Sequence, residues 1–380
     1  VAVKWPEGIR SAGIASGIKS SGLDLGLIVL DEPSAWAGTF TQNAAAAAPV
    51  QWCKSLTGGQ VRALVVNSGN ANACTGSAGE KAVQEEVAAV ASELDCDPSE
   101  VLVASTGPIG VPLPVGSIVG SIGSAVSDLG ADPTAFATSI LTTDTHTKTA
   151  SAIAGSARVV GVAKGAAMLA PNMATMLAFI ATDADVDAGS LQKALDVAVD
   201  VSFNRITVDA CESTNDSVFM FATGAAPAPD TDSLVQATVS VCKELALAMV
   251  RDAEGGTKLM RISVEGAESG AAACSLARAV ASSALWKAAA FGNDPNWGRI
   301  VSALGSESRS LDLARMEVTI GDAVVFSKGE PATDLAAAGE EMQADEIAIT
   351  CRVGDGTGSA EFLTPDLTPD YVTLNATGTT

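Results

Sequence analysis

Val61-Arg-Ala-Leu-Val-Val66 is a short apolar run bounded by turn-forming residues, the pattern of a buried strand. It ends in Asn67-Ser-Gly-Asn-Ala-Asn72, rich in turn formers. Ser77 and Glu80 are spaced as a capping box. Beyond them Val83, Val87, Val90 and Leu94 fall on one helical stripe. Val101-Leu-Val-Ala-Ser105 predicts a second strand, running directly into Thr106-Gly107-Pro108. Helical periodicity returns in 190–201 and 233–251, and the Ala-rich stretch 267–285 reads as helical. Met260, Ile262 and Val264 alternate as a half-buried strand does.

The last hundred residues read as β-rich. Val318-Thr-Ile-Gly321-Asp322-Ala-Val-Val-Phe326 predicts a hairpin. Ile347, Ile349, Cys351 and Val353 alternate, and Gly354-Asp-Gly-Thr-Gly358 reads as the hairpin turn that follows. The pattern predicts an α+β protein, sheets with helices packed on them, without internal repeats or a long linker.

With 380 residues and 47% hydrophobic content the chain can build a sizeable core. Aromatics are only 4%, which predicts a core of Ala, Val, Leu and Ile. The formal charge of −22 disfavours nucleic acid and anionic membranes as partners. No run of 18 apolar residues predicts a transmembrane helix, and no signal peptide is visible at the start. Seven widely spaced cysteines without C-x-x-C predict neither a disulfide framework nor a zinc site, and suit a reducing compartment.

His146 is the only histidine, so any Ser-His or Cys-His mechanism must use it, and no histidine cluster can hold a metal. Its setting, Thr142-Thr-Asp-Thr-His-Thr147, reads equally well as a polar surface turn. A hydroxyl nucleophile without histidine needs another base. One solution is a threonine whose own α-amine, with a pKa near 8, takes the proton. The chain must then be cut immediately before that threonine. Thr175 suits such a cut: Ala174 before it is small, and Met176-Leu-Ala-Phe-Ile180 after it can anchor a new N-terminus as a buried strand. The same residues also read as an ordinary threonine entering a strand.

The segment Lys164-Gly-Ala-Ala-Met-Leu-Ala-Pro-Asn-Met-Ala-Thr175-Met-Leu resembles the self-cleavage site of the ornithine acetyltransferase family, also called bifunctional glutamate N-acetyltransferase. Asn67 to Gly76, Ser105-Thr-Gly107, Thr142-Thr-Asp-Thr145, Ser213-Thr-Asn-Asp216, Asp252-Ala-Glu-Gly255 and Asp294-Pro-Asn-Trp-Gly-Arg299 are similar to family signatures, in the same order. The likeness covers nearly the whole chain. It departs from the family in lacking a proline near His146 and in a shortened stretch before Lys164.

The resemblance implies an N-terminal-nucleophile enzyme of the DmpA-like class, cut between Ala174 and Thr175 into chains 1–174 and 175–380, with two copies of each assembled in the cytoplasm. It implies Thr175 as nucleophile and base, and Thr106 with Gly107 as the oxyanion hole. Thr142, Lys164, Thr175, Glu254, Asn375 and Thr380 would bind substrate. Without the family, Lys164 and Glu254 read as surface charges, and Ser105-Thr-Gly-Pro108 as a turn. The implied reaction moves an acetyl group from N-acetylornithine to glutamate in arginine biosynthesis. No cofactor or metal is implied, and acetyl-CoA stays open as a second acetyl donor. A self-processing amidase or aminopeptidase is the alternative, and an acidic binding protein a further one. Asn67–Asn72 and Asp294–Arg299 could each line the site or brace the scaffold.

Overall fold

The computed structural model describes residues 3–56, 59–170, 176–332 and 335–377. They form an α+β protein divided into two units. The first holds the described residues up to Asn204 together with Cys211–Met249; the second holds Arg205–Ala210 and the described chain from Val250 onward.

Eight strands build the sheet of the first unit: β1 (Ile9–Ile14), β2 (Leu25–Phe40), β3 (Val61–Ser68), β4 (Val101–Thr106), β5 (Lys148–Ala154), β6 (Ala157–Lys164), β7 (Leu177–Ala184) and β8 (Ser217–Ala226). Their order is β4-β3-β2-β8-β7-β6-β5, with β1 beside β2. The long β2 changes partner along its length. Its first half pairs with β1 and β3, and its second half with β8. β7 runs parallel to β8 and antiparallel to β6, so Leu177 stands between Lys164 and Ser217.

Aromatic residues are few but concentrated. Phe136 meets Phe179 edge to face, and Phe179, Phe219 and Phe221 stack, in one buried cluster with centroids 5.0, 5.7 and 6.5 Å apart along the series. This corrects the expectation of a purely aliphatic core: low aromatic content did not prevent the few rings from gathering where large volumes were needed. On the other face, Val83, Val87 and Val90 of the helix Ser77–Leu94 are buried with Val65 and Val103 of the sheet. The helix Thr231–Arg251 lies against β6, and Gly161 makes this possible. A Cβ there would stand 2.6 Å from Val241 Cγ1 and 2.8 Å from Leu245 Cδ1. By length and composition this helix could cross a membrane, yet Leu234, Val241, Leu245 and Met249 recur on a stripe buried inside the protein.

The second unit has six strands: β9 (Leu259–Ala267), β10 (Glu317–Ile320), β11 (Ala323–Ser327), β12 (Glu330–Pro331), β13 (Glu346–Arg352) and β14 (Gly358–Pro365), in the order β12-β11-β10-β13-β9-β14. Met260, Ile262 and Val264 are all buried, as their alternation predicts.

Two local expectations are corrected, and a third is refined. Ser77 and Glu80 form no capping box. Gly76, at φ +57°, is the residue before the helix, so Ser77 is already helical and no side chain caps the end. The Ala-rich stretch is helical as expected, in two helices, Gly270–Ala281 and Ala284–Phe291, because Ser283 accepts from the Trp286 N–H and starts a new one. Gly354–Gly358 does not close a hairpin. β13 and β14 are both partners of β9, which lies between them, and the glycine-rich loop passes over the end of β9, with Gly356 N–H donating to Gly266 O. The predicted 318–326 hairpin is present as β10 and β11.

Candidate active site

Among the described residues, the ends of β4 and β6 and the beginnings of β7 and β8 bring polar side chains together in the first unit. Thr106 is the last residue of β4. Its carbonyl accepts from Asn70 N–H at 3.0 Å, and its hydroxyl accepts from Lys164 Nζ at 3.3 Å. Accepting from the ammonium leaves the Thr106 O–H to point elsewhere as a donor. Gly107 follows at φ +139°. A Cβ there would lie 2.4 Å from Asn70 N, so a glycine is needed for the loop Gly69–Asn70 to approach.

Asn67 to Asn72 acts on the scaffold. Asn67 Nδ2 donates to Asn70 O, Asn70 Nδ2 to Val111 O and Pro112 O, and Asn72 Nδ2 to Gly79 O. Ala71 N–H donates to Pro108 O. The asparagines therefore hold the turn that follows Thr106, which the sequence pattern alone left open.

Lys164 closes β6 and is only 4% exposed, which overturns its reading as a surface charge. Its ammonium donates to Thr142 Oγ1 at 2.7 Å and stands 4.0 Å from Asp144 Oδ2. Asp144 also pairs with Lys148 at 2.7 Å, and both side chains have no exposure. Its Oδ1 accepts from Gly165 N–H at 2.7 Å. Burial alone would push the Asp144 carboxyl up. The charges of Lys164 and Lys148 and the hydrogen bonds from Lys148 and Gly165 outweigh it, holding the group at about 2. Asp144 and Lys148 had no role assigned from sequence, although Asp144 lies inside the signature Thr142–Thr145. His146 is exposed, with Thr145 Oγ1 3.0 Å from its Nδ1.

Asp216 precedes β8 and is 1% exposed. Its Oδ1 accepts from Met176 N–H at 2.9 Å. Burial pushes this carboxyl well above the usual carboxylate range, against the N–H groups of Met176 and Ser213 and the charge of Lys164. Ala174 and Thr175 lie outside the described residues, as does Thr380. Met176, which follows Thr175 in the chain, is buried, and β7 continues from it as the apolar run predicts.

Glu254 and Asn375 belong to the second unit, where they meet: Asn375 Nδ2 donates to Glu254 Oε2 at 2.8 Å. Asp294–Arg299 braces this unit. Trp297 stacks on Phe326 with centroids 5.1 Å apart, and Arg299 Nη1 donates to Leu285 O. A cleft of about 380 Å³ near Glu268, Glu307 and Arg315 in the same unit contains none of the predicted site residues. Among the described residues no cluster of His, Cys, Asp and Glu is placed to ligate a metal.

Thr106, Gly107, Thr142 and Lys164, four of the predicted site residues, thus meet around one buried ammonium and a position that only glycine fits. Comparison with known proteins supplies the family. A family model described as the ArgJ family matches residues 10–380. The arginine biosynthesis bifunctional protein ArgJ of Thermus thermophilus is 43% identical over 383 residues, covering 100% of both chains. Its counterpart from Gloeobacter violaceus is 43% identical over 392 residues, covering 98% of this chain and 97% of that one. A crystal structure of arginine biosynthesis bifunctional protein ArgJ from Bacillus halodurans is similar at a TM-score of 0.50 and 36% identity, covering 52% of this chain and 97% of the solved one. The chain belongs to the ArgJ family. It is an enzyme of arginine biosynthesis, an acetyltransferase.

Proposed function

We propose that the protein transfers acetyl from N-acetylornithine to glutamate through an acetyl-Thr175 intermediate, after cutting itself between Ala174 and Thr175. The observation that carries this reading is the meeting of Thr106 and Lys164 in the first unit, where β7 opens one residue after Met176. The Thr175 α-amine removes the Oγ proton as Oγ attacks the acetyl carbonyl. The Thr106 hydroxyl and the Gly107 N–H stabilise the oxyanion. The C–N bond then breaks, the α-amine passes the proton to the departing amine, and ornithine leaves. Glutamate's amine attacks the ester, its proton returns to Thr175 Oγ through the same α-amine, and N-acetylglutamate departs. Water must be kept from the ester between the two halves.

Thr142 and Lys164 in the first unit, and Glu254, Asn375 and Thr380, are the proposed substrate-binding residues. Lys164 suits a carboxylate and Glu254 an ammonium. The Bacillus halodurans chain supports the cut: it is matched almost end to end by about half of this chain, the proportion expected of one product. The products, 1–174 and 175–380, would stay associated with two copies of each, in the cytoplasm. Acetyl-CoA is proposed as a second donor, with no resident cofactor.

Intact mass should give two pieces of about 17 and about 21 kDa, scaled by length from 38.0 kDa. Thr175→Ala should leave one piece and no acetyl transfer. A wild-type protein that transfers acetyl as a single uncut chain would overturn the mechanism. Release of acetate at the same rate with or without glutamate would favour a hydrolase instead.

A further inference from the structure

Ser213-Thr-Asn-Asp216 has so far been given no part in the reaction, yet it joins two parts of the site. Asn215 is buried, and its Nδ2 donates to Ala71 O at 2.6 Å and to Ser105 O at 2.9 Å. Ser105 is the residue before Thr106. The next side chain, Asp216, accepts from Met176 N–H, whose nitrogen is bonded to the Thr175 carbonyl carbon. Main-chain bonds hold this dipeptide in turn. Thr41 N–H donates to Asp216 O at 2.9 Å, and Ser217 N–H donates to Met176 O at 3.2 Å.

The sheet gives β4 and β7 no direct registration. β3, β2 and β8 lie between them, so no ladder bond links the strand end carrying Thr106 to the one that opens after Thr175. A nucleophile and an oxyanion donor must nevertheless be held to about 0.5 Å. Two adjacent side chains on the lead into β8 span the three strands in one step. We infer that Asn215 and Asp216 are positioning residues for acetyl transfer, one arm fixing the end of β4 and the other the residue after the nucleophile. This rests on the function proposed above.

The chemistry of the two arms differs. Asn215 is used as a donor to two carbonyls, so Asp in its place would turn a carboxylate toward them. Asp216 is used as an acceptor, and its Oδ2 has no hydrogen-bond partner among the described residues. Burial disfavours its charge, so an amide is a close substitute.

The test is a set of variants, N215A, N215D, D216A and D216N, assayed for transfer on protein whose cut is verified by mass. Asn215→Ala and Asp216→Ala should lower kcat by about 10²-fold with KM within a few-fold, the effect of displacing a reacting group by about 1 Å. Asn215→Asp should be at least as slow, whereas Asp216→Asn keeps an acceptor and should stay within about tenfold of wild type. A purely structural role would reduce the folded fraction and leave kcat per folded molecule unchanged. Both alanine variants turning over within about threefold of wild type would overturn the assignment. Should a variant remain uncut, the time course of its cut is read instead, with slowing of about tenfold or more expected and a wild-type course overturning it. Should the alanine variants not fold, hydrogen exchange of the wild-type Met176 amide decides. Exchange as slow as in the core of β8 is expected, and exchange at the rate of an exposed amide overturns the Asp216 arm. Wild-type protein that is not cut or moves no acetyl refutes the proposed function itself, while an active wild type with unaffected variants refutes only this inference.

Discussion

Asp144→Asn removes one charge and almost no volume from a site where two ammonium groups depend on it. Asp144 lies 2.7 Å from Lys148 Nζ and 4.0 Å from Lys164 Nζ, and neither Asp144 nor Lys148 has any side-chain exposure. The carboxyl is held at about 2 against an ordinary 3.8. At about 1.4 kcal/mol per pH unit, this depression is worth roughly 2 kcal/mol of folding stability. That figure counts only the preference of the carboxylate. The variant also removes a counter-charge 2.7 Å from the buried Lys148 ammonium, and breaking a buried pair on one side typically costs about 3–5 kcal/mol. The expected loss is therefore about 2–5 kcal/mol at pH 7. The pH dependence has a definite sign. The folded carboxyl titrates below the unfolded one, so its stabilisation is complete above about pH 4 and disappears as pH falls toward about 2. Urea unfolding followed by circular dichroism at one protein concentration, at pH 7 and again near pH 3, measures both effects. A difference between wild type and variant below about 1 kcal/mol at pH 7, or one that is undiminished near pH 3, would refute the electrostatic argument.

Thr106→Ala removes the proposed oxyanion donor while Lys164 keeps its bond to Thr142. On verified cut protein, kcat should fall by about 10²–10³-fold with KM nearly unchanged, and a normal kcat with raised KM would make Thr106 a ground-state contact. Gly107→Ala would place a Cβ 2.4 Å from Asn70 N at φ +139°. It should cost at least about 2 kcal/mol in stability and lower transfer, and an unchanged melting temperature would contradict the close approach. Glu86 is 1% exposed with neither carboxyl oxygen hydrogen-bonded, and burial pushes it up to about 8. Its folded value lies above its unfolded one, so its contribution to wild-type stability should be largest below about pH 4.5 and be lost as pH rises through 8. Thermal melts of Glu86→Gln from pH 5 to 9 should show a flatter profile and a more stable variant at the alkaline end; parallel profiles would exclude Glu86 as the cause.

The elements that could be read from the chain are those whose signal is local. An apolar run bounded by turn formers marked Val61–Val66, and the spacing of Val83, Val87 and Val90 marked a helix with one buried stripe, because periods of two and 3.6 follow from backbone geometry alone. The acetyltransferase class was legible only through the likeness of several ordered motifs to the ornithine acetyltransferase family; the residues around Thr175 read by themselves suited an ordinary threonine entering a strand just as well. Strand neighbours were not legible. Gly354–Gly358 has the composition of a hairpin turn, yet β9, far earlier in the chain, inserts between the strands it joins. Nor could periodicity tell that Lys164 is buried beside Thr142 and Thr106, or that the asparagines after β3 hold the turn after β4. A lone lysine or asparagine is compatible with solvent or with a buried network, and the difference is made by partners distant in the chain. Asn215 shows this most clearly. Its amide is one residue from Asp216 in sequence, but its meaning comes from carbonyls at Ala71 and Ser105, more than a hundred residues away, which only the folded sheet brings within hydrogen-bonding distance.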